Sequence, residues 1–183
     1  MKTPLVIGFA LALTGCSNIN TCHFYWSWND EAQCHKQHLL YQNDLMQAKI
    51  LITSGDKQGL ELASALLDRL QSQEQDQRGE IFFYRALLGI RQNPTNTPDI
   101  IQNLEQAAAL QHPHAVALLY RIYDEPYLIK TRDAAKADQY RKAYTQLDVA
   151  RSGYPSFEQA LAVTKRLFVT PNSPTPAPAS KTP

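Results

Sequence analysis

The sequence predicts an all-α protein, a short α-solenoid of about seven helices arranged as antiparallel helical hairpins. Three observations predict it. Ala, Leu and Gln are prominent in a chain of 183 residues that holds only seven glycines, a composition suited to helix rather than sheet. Apolar residues recur at three- and four-residue steps across residues 37–168, and no stretch alternates convincingly with period two. An internal repeat runs through the second half. Aligned on Gly79, Gln111 and Gly153, the residue four later is Phe83, Ala115 and Phe157, and the residue eight later is Leu87, Leu119 and Leu161. Steps of four stay on one helical face, so each copy offers the same buried stripe. The intervals of 32 and 42 residues each have room for one helical hairpin.

The elements follow in order. From Gln37 a first helix carries Leu39, Leu40, Leu45, Met46, Ile50 and Leu51 on one expected core stripe, until Ser54-Gly55-Asp56 breaks it. Gly55 suits a C-terminal cap and Asp56 the next N-cap. A second helix carries Leu60, Ala63, Leu66, Leu67 and Leu70 and dissolves into the polar linker 71–78. A third carries Ile81, Phe82, Phe83, Leu87, Leu88 and Ile90 and stops before Asn93-Pro94. Thr97-Pro98 reads as an N-cap with proline at the first helical position, opening a fourth helix with Ile101, Leu104, Ala107 and Ala108. Pro113 starts a fifth, with Ala115, Leu118, Leu119 and Ile122, which ends before Pro126. Residues 132–151 form a sixth and residues 157–168 a seventh.

Within the repeat, Ala107-Ala108 and Leu110-Gln111-His112-Pro113-His114-Ala115, followed by Leu119 and Tyr123, resemble the junction of Sel-like repeats, relatives of the tetratricopeptide repeat. In that family an Ala-Ala pair near a helix end precedes a turn glycine, then Ala, Leu and Tyr on the next helix. Asp133, Lys136, Ala137 and Tyr140 are similar to the family's second-helix pattern. The resemblance covers about residues 79–161, and it implies a protein-interaction scaffold without catalysis of its own. This chain departs from the pattern in three places. Gln111 replaces the turn glycine, Tyr120 replaces the small residue after Leu119, and Asp124-Glu125-Pro126 stands where a Gly-rich turn would be.

The two ends read as address and tail. Met1-Lys2, the nine apolar residues 5–13 and the small residues Thr14-Gly15 form a secretory signal over residues 1–15. Nine residues span roughly 14 Å as a helix, too short for a hydrocarbon core of about 30 Å. Leu13-Thr14-Gly15-Cys16 resembles the lipobox of bacterial lipoproteins, which implies that Cys16 is acylated and becomes the new N-terminus. Ser17 stands where an aspartate would resemble the inner-membrane retention signal. The resemblance therefore implies the outer membrane of a Gram-negative envelope, periplasmic side. Residues 169–183 hold too little apolar bulk to fold, with five prolines among the last thirteen, and are expected to be disordered.

Residues 16–36 form the anchored N-terminal segment, ahead of a repeat domain over residues 37–168. With Cys16 assigned to lipid, Cys22 and Cys34 are left as an even pair in an oxidising compartment, and a disulfide between them is the favoured reading. A zinc site built from Cys22, His23, Cys34, His35 and His38 is the alternative, although the spacing is not that of a zinc finger. Between the cysteines lie Phe24, Tyr25, Trp26 and Trp28, either a cap on the first helices or a contact surface at the membrane, on a glycan or on a protein. With Tyr84, Tyr120 and Tyr123 they make the candidate binding surface.

Eighteen Lys and Arg against 17 Asp and Glu leave almost no net charge, which argues against a nucleic-acid partner. No Gly-rich phosphate loop, nucleophile elbow or His-Glu-x-x-His occurs. His112 and His114, either side of Pro113, are expected to point apart. The expectation is a non-enzymatic adaptor with no cofactor and no bound metal, held to the membrane by its lipid and to an unidentified envelope protein by its repeats. A glycan-binding accessory lipoprotein using the aromatic segment is the alternative.

Overall fold

The computed structural model describes residues 28–167 except 74, 75, 77, 127 and 154, with residues 28–34, 151 and 152 described by backbone alone. The signal segment, Cys16, Cys22, Phe24, Tyr25, Trp26 and the tail 169–183 lie outside the described residues, as do the side chains of Trp28 and Cys34. The chain divides into two compact units between His38 and Leu39. Of the first unit, residues 28–38 are described, and they are helical.

The fold is all-α. Among the described residues there are eight helices, α1 (Trp28–Ser54), α2 (Lys57–Gln71), α3 (Glu80–Gln92), α4 (Thr97–Ala109), α5 (Pro113–Asp124), α6 (Ala134–Thr145), α7 (Asp148–Ser152) and α8 (Phe157–Leu167). Consecutive helices from α2 to α6 pack on one another, and α8 returns to pack on α5. None of them is long and apolar enough to cross a membrane.

Capping chemistry sets the boundaries. The Asp56 carboxylate accepts the Gly59 N–H at 2.9 Å and opens α2, as the sequence predicts. Asp133 does the same for α6 through the Lys136 N–H at 3.0 Å. The cap position of α4 is Asn96 rather than Thr97 and makes no side-chain cap hydrogen bond, while the Thr97 hydroxyl donates to the Leu128 carbonyl at 3.1 Å. The single helix expected over residues 132–151 is two. Leu147 turns inward, 4% exposed, and its extended backbone ends α6 and caps α7.

The three repeat positions are the three residues with left-handed backbone among the described residues. Gly79 has φ 71°, Gln111 65° and Gly153 74°. At Gly79 a Cβ would stand 2.8 Å from both the Cα and the carbonyl oxygen of Ala107, so the turn into α3 presses directly on α4. Phe83, Leu87, Ala115 and Leu119 are buried as the repeat requires, while Phe157 and Leu161 are half-buried in the last copy.

Five consecutive residues of α5, Ala115 to Leu119, are buried, which makes it the central helix, apolar almost all round. Its partners form two clusters. The larger joins α1 to α6, and the smaller joins Val116 and Ala117 to Tyr144, Leu147 and Ala160. In α4 the buried isoleucine is Ile100, 2% exposed, rather than Ile101.

The face of α1 differs from the expected one. Tyr41, Leu45, Ala48 and Ile52 are buried, whereas Leu39, Leu40, Met46 and Ile50 are exposed. Asp44 lies on the inner side and pairs with Arg69 of α2 at 2.6 Å. The small Ala48 and this ion pair decide which side of α1 meets the body, over the greater apolar bulk of the outer residues.

Candidate functional site

The starts of α3 and α5 bring together a compact group of aromatic and titratable side chains. The Asp76 carboxylate accepts the Glu80 and Ile81 N–H groups at 2.8 and 2.9 Å and so places the first turn of α3. Glu80, fixed there, forms an ion pair with Lys49 of α1 at 2.9 Å, both partly buried. The Lys49 ammonium also stands 5.1 Å from the centre of the Tyr84 ring. Burial, then the nearby Glu80, pushes the Tyr84 hydroxyl up to about 12, so it stays protonated. Burial, Asp76 and Glu80 push Tyr41 upward as well.

On the α5 side, His112 caps the helix by accepting the Ala115 N–H on Nδ1 at 3.2 Å. Its ring stacks on Phe83 at 4.4 Å. Burial, then His114 and Lys49, lowers its pKa to about 3, so it is neutral at physiological pH. That neutrality suits its role, since the nitrogen must keep its lone pair to serve as a cap. His112 and His114 do not point apart. Their rings lie 5.8 Å from each other, because His112 is the cap and not part of the helical turn. Burial lowers His114 too, against the opposing pull of Glu80.

The expected aromatic surface is thus divided. Tyr84 belongs to this group and is half-buried. Tyr120 is committed elsewhere, its ring edge-on to Phe157 of α8 at 5.1 Å and its hydroxyl 3.3 Å from Asp124. Tyr123 is a core residue, 6% exposed, stacked parallel to Tyr140 at 5.7 Å, so it is not part of a surface. Phe24, Tyr25 and Trp26 lie outside the described residues, and Trp28 is placed only as the first residue of α1.

Lys49 and Glu80 had no sequence signature, because their pairing spans 31 residues and depends on the inner face of α1. His114 sits in a motif that reads as a turn. Its neighbours Phe83 and Glu80 come from a different helix, so only the fold assembles them.

His112 is tied to a backbone N–H and cannot act as a base without uncapping α5. No three His, Cys, Asp or Glu side chains among the described residues converge as metal ligands would. His35 and His38 are exposed on α1, and their proposed companions Cys22, His23 and Cys34 lie outside the described side chains. A cavity of about 70 Å³ between Ile52, Leu87, Ile90 and Leu167 is well below the roughly 300–1,000 Å³ of small-molecule sites. No family model matches the chain, and neither the curated proteins nor the solved structures compared with it gave a match.

Proposed function

We propose that the protein is a lipid-anchored adaptor of the bacterial envelope, tethered through Cys16 on the periplasmic side of the outer membrane and holding a protein partner on its helical body. The observation that carries this reading is the coincidence of the internal repeat with three left-handed turns, at Gly79, Gln111 and Gly153. Repeated hairpins that open in the same way make a scaffold in which equivalent helices stand side by side and their outer faces form one recognition surface. The Lys49–Glu80–Tyr84–His114 group lies across α1, α3 and α5, where such a surface would be read. Tethering supplies the mechanism, since confinement to a membrane raises the local concentration of whatever is bound.

The test is co-purification from crosslinked envelopes. The wild-type chain is expected to bring down one defined protein in stoichiometric amount, and a Tyr84→Ala/His114→Ala variant with unchanged helicity is expected to lose it. Cys16→Ser is expected to release the chain from membranes. Co-sedimentation with peptidoglycan and no protein partner would instead favour the glycan-binding alternative.

A further inference from the structure

α1 carries two apolar faces. Tyr41, Leu45, Ala48 and Ile52, at steps of four, three and four, are buried in the body. At about 100° per residue, Leu39, Met46 and Ile50 fall on the opposite side of the helix. They are 54%, 57% and 55% exposed, while Leu40, 61% exposed, stands about a quarter-turn to one side of them. One apolar face is enough to join α1 to the fold, so the second calls for an occupant of its own.

Charge and size narrow that occupant. The residues bordering the stripe are Gln42, Asn43, Gln47 and Thr53, all uncharged, with Lys36 toward one end. The one acid in residues 35–54, Asp44, is on the inner side and neutralised by Arg69. A surface of anionic headgroups meets no opposing charge there. Three half-exposed aliphatic side chains offer at most a few hundred Å², the order of the largest patch on an ordinary monomer. A stable dimer takes roughly 800 Å² from each partner, so a second copy is poorly served. A bilayer needs far less when the chain is already held to it, and Leu39 follows Cys16 by 23 residues.

We infer that α1 lies along the surface of the membrane that holds the protein, with Leu39, Met46 and Ile50 entering the boundary between headgroups and acyl chains. The inference rests on the lipid-anchor reading for its tether. It also gives the body an orientation. Lys49 lies about a quarter-turn from both faces of α1, so the group with Glu80 and Tyr84 stands beside the bilayer and open to the periplasm rather than beneath the protein.

The experiment reconstitutes the full lipidated chain into phosphatidylethanolamine–phosphatidylglycerol vesicles containing a phospholipid with a photoactivatable acyl chain. Flotation reads the tether, and tryptic mass spectrometry reads the contact. Lipid adducts are expected to concentrate on the tryptic peptide Gln37–Lys49, which carries Leu39 and Met46, with Ile50 read in the adjoining peptide Ile50–Lys57, and to fall at least about fivefold in Leu39→Gln/Met46→Gln/Ile50→Gln, with flotation and helicity unchanged. The single variant Met46→Gln, at an exposed position, guards against misfolding and is expected to lower the yield part-way. Adducts no richer in that peptide than in α6, or unchanged in the triple variant, overturn the inference. So does a dimer in detergent that the triple variant abolishes, or a crosslink from residues 24–28 onto this peptide in the absence of lipid adducts. A wild-type chain that fails to float overturns the tether instead. The mature chain is then held to nickel-chelating vesicles by an N-terminal hexahistidine tag, and the same photolabelling decides the α1 face separately.

Discussion

Gln111 holds a backbone conformation that its neighbours in the repeat give to glycine. Its side chain offsets part of the strain by accepting the Asp148 N–H on Oε1 at 3.2 Å, tying the α4–α5 turn to the start of α7. The left-handed region costs a residue with a Cβ roughly 1–2 kcal/mol. Gly153 has open space around it and Gly79 does not, which separates that cost from a clash. Gly153→Ala is therefore expected to lose roughly 1–2 kcal/mol in urea unfolding, and Gly79→Ala clearly more, because a methyl there meets the backbone of Ala107. Equal losses would mean that Gly79 does not seat α3 on α4. His112 makes a pH prediction. A folded pKa near 3, against about 6.5 when unfolded, means that its support is complete above about pH 6.5 and is withdrawn as pH falls toward 3. His112→Asn keeps a capping acceptor without the titration. The stability difference between wild type and this variant is expected to shift toward the variant, by up to a few kcal/mol, between about pH 7 and about pH 4. A difference independent of pH would contradict the buried neutral imidazole.

At the scale of elements, α2, α3 and α8 were legible because each has one apolar stripe and plain punctuation, and α5 because Pro113 opens it and Pro126 follows its end. The repeat positions were legible too, whereas the left-handed backbone at Gln111 was not, since a glutamine there reads as a departure from the turn glycine. What failed had physical reasons. α1 has two apolar sides, and residue hydrophobicity ranks Leu39, Met46 and Ile50 above Tyr41 and Ala48. Close packing at Ala48 and the Asp44–Arg69 pair reverse that ranking, and neither is a local signal. The break between α6 and α7 depends on Leu147 finding a pocket in the smaller core, and on the Tyr144 hydroxyl donating to the Pro155 carbonyl at 2.6 Å. The Lys49–Glu80–Tyr84–His114 group was illegible because three helices contribute to it. Two substitutions in α1 test its orientation. Ala48→Leu, which overpacks a site with no exposure, is expected to cost about 1–3 kcal/mol. Met46→Gln is expected to change stability by less than about 0.5 kcal/mol. The reverse order of losses would restore the face that hydrophobicity alone predicts.

For the whole molecule, near-neutral charge takes on a definite sense. Lys49, Arg69, Arg85 and Arg132 are matched by Glu80, Asp44, Asp68 and Asp124 in pairs that join one helix or loop to another. These pairs use charge for assembly, and the near-balanced total offers a polyanion little attraction in bulk. Under the proposed adaptor function, a partner would be read through a local group instead, and a tether would do the work of concentration. The most direct measurement replaces Tyr84 with a photo-crosslinking phenylalanine analogue in living cells, with Lys142, an exposed α6 position, as the control. A single discrete protein adduct from position 84 and none from position 142 is the predicted result. No adduct from position 84, or the same adducts from both positions, would contradict an adaptor that holds its partner on this face.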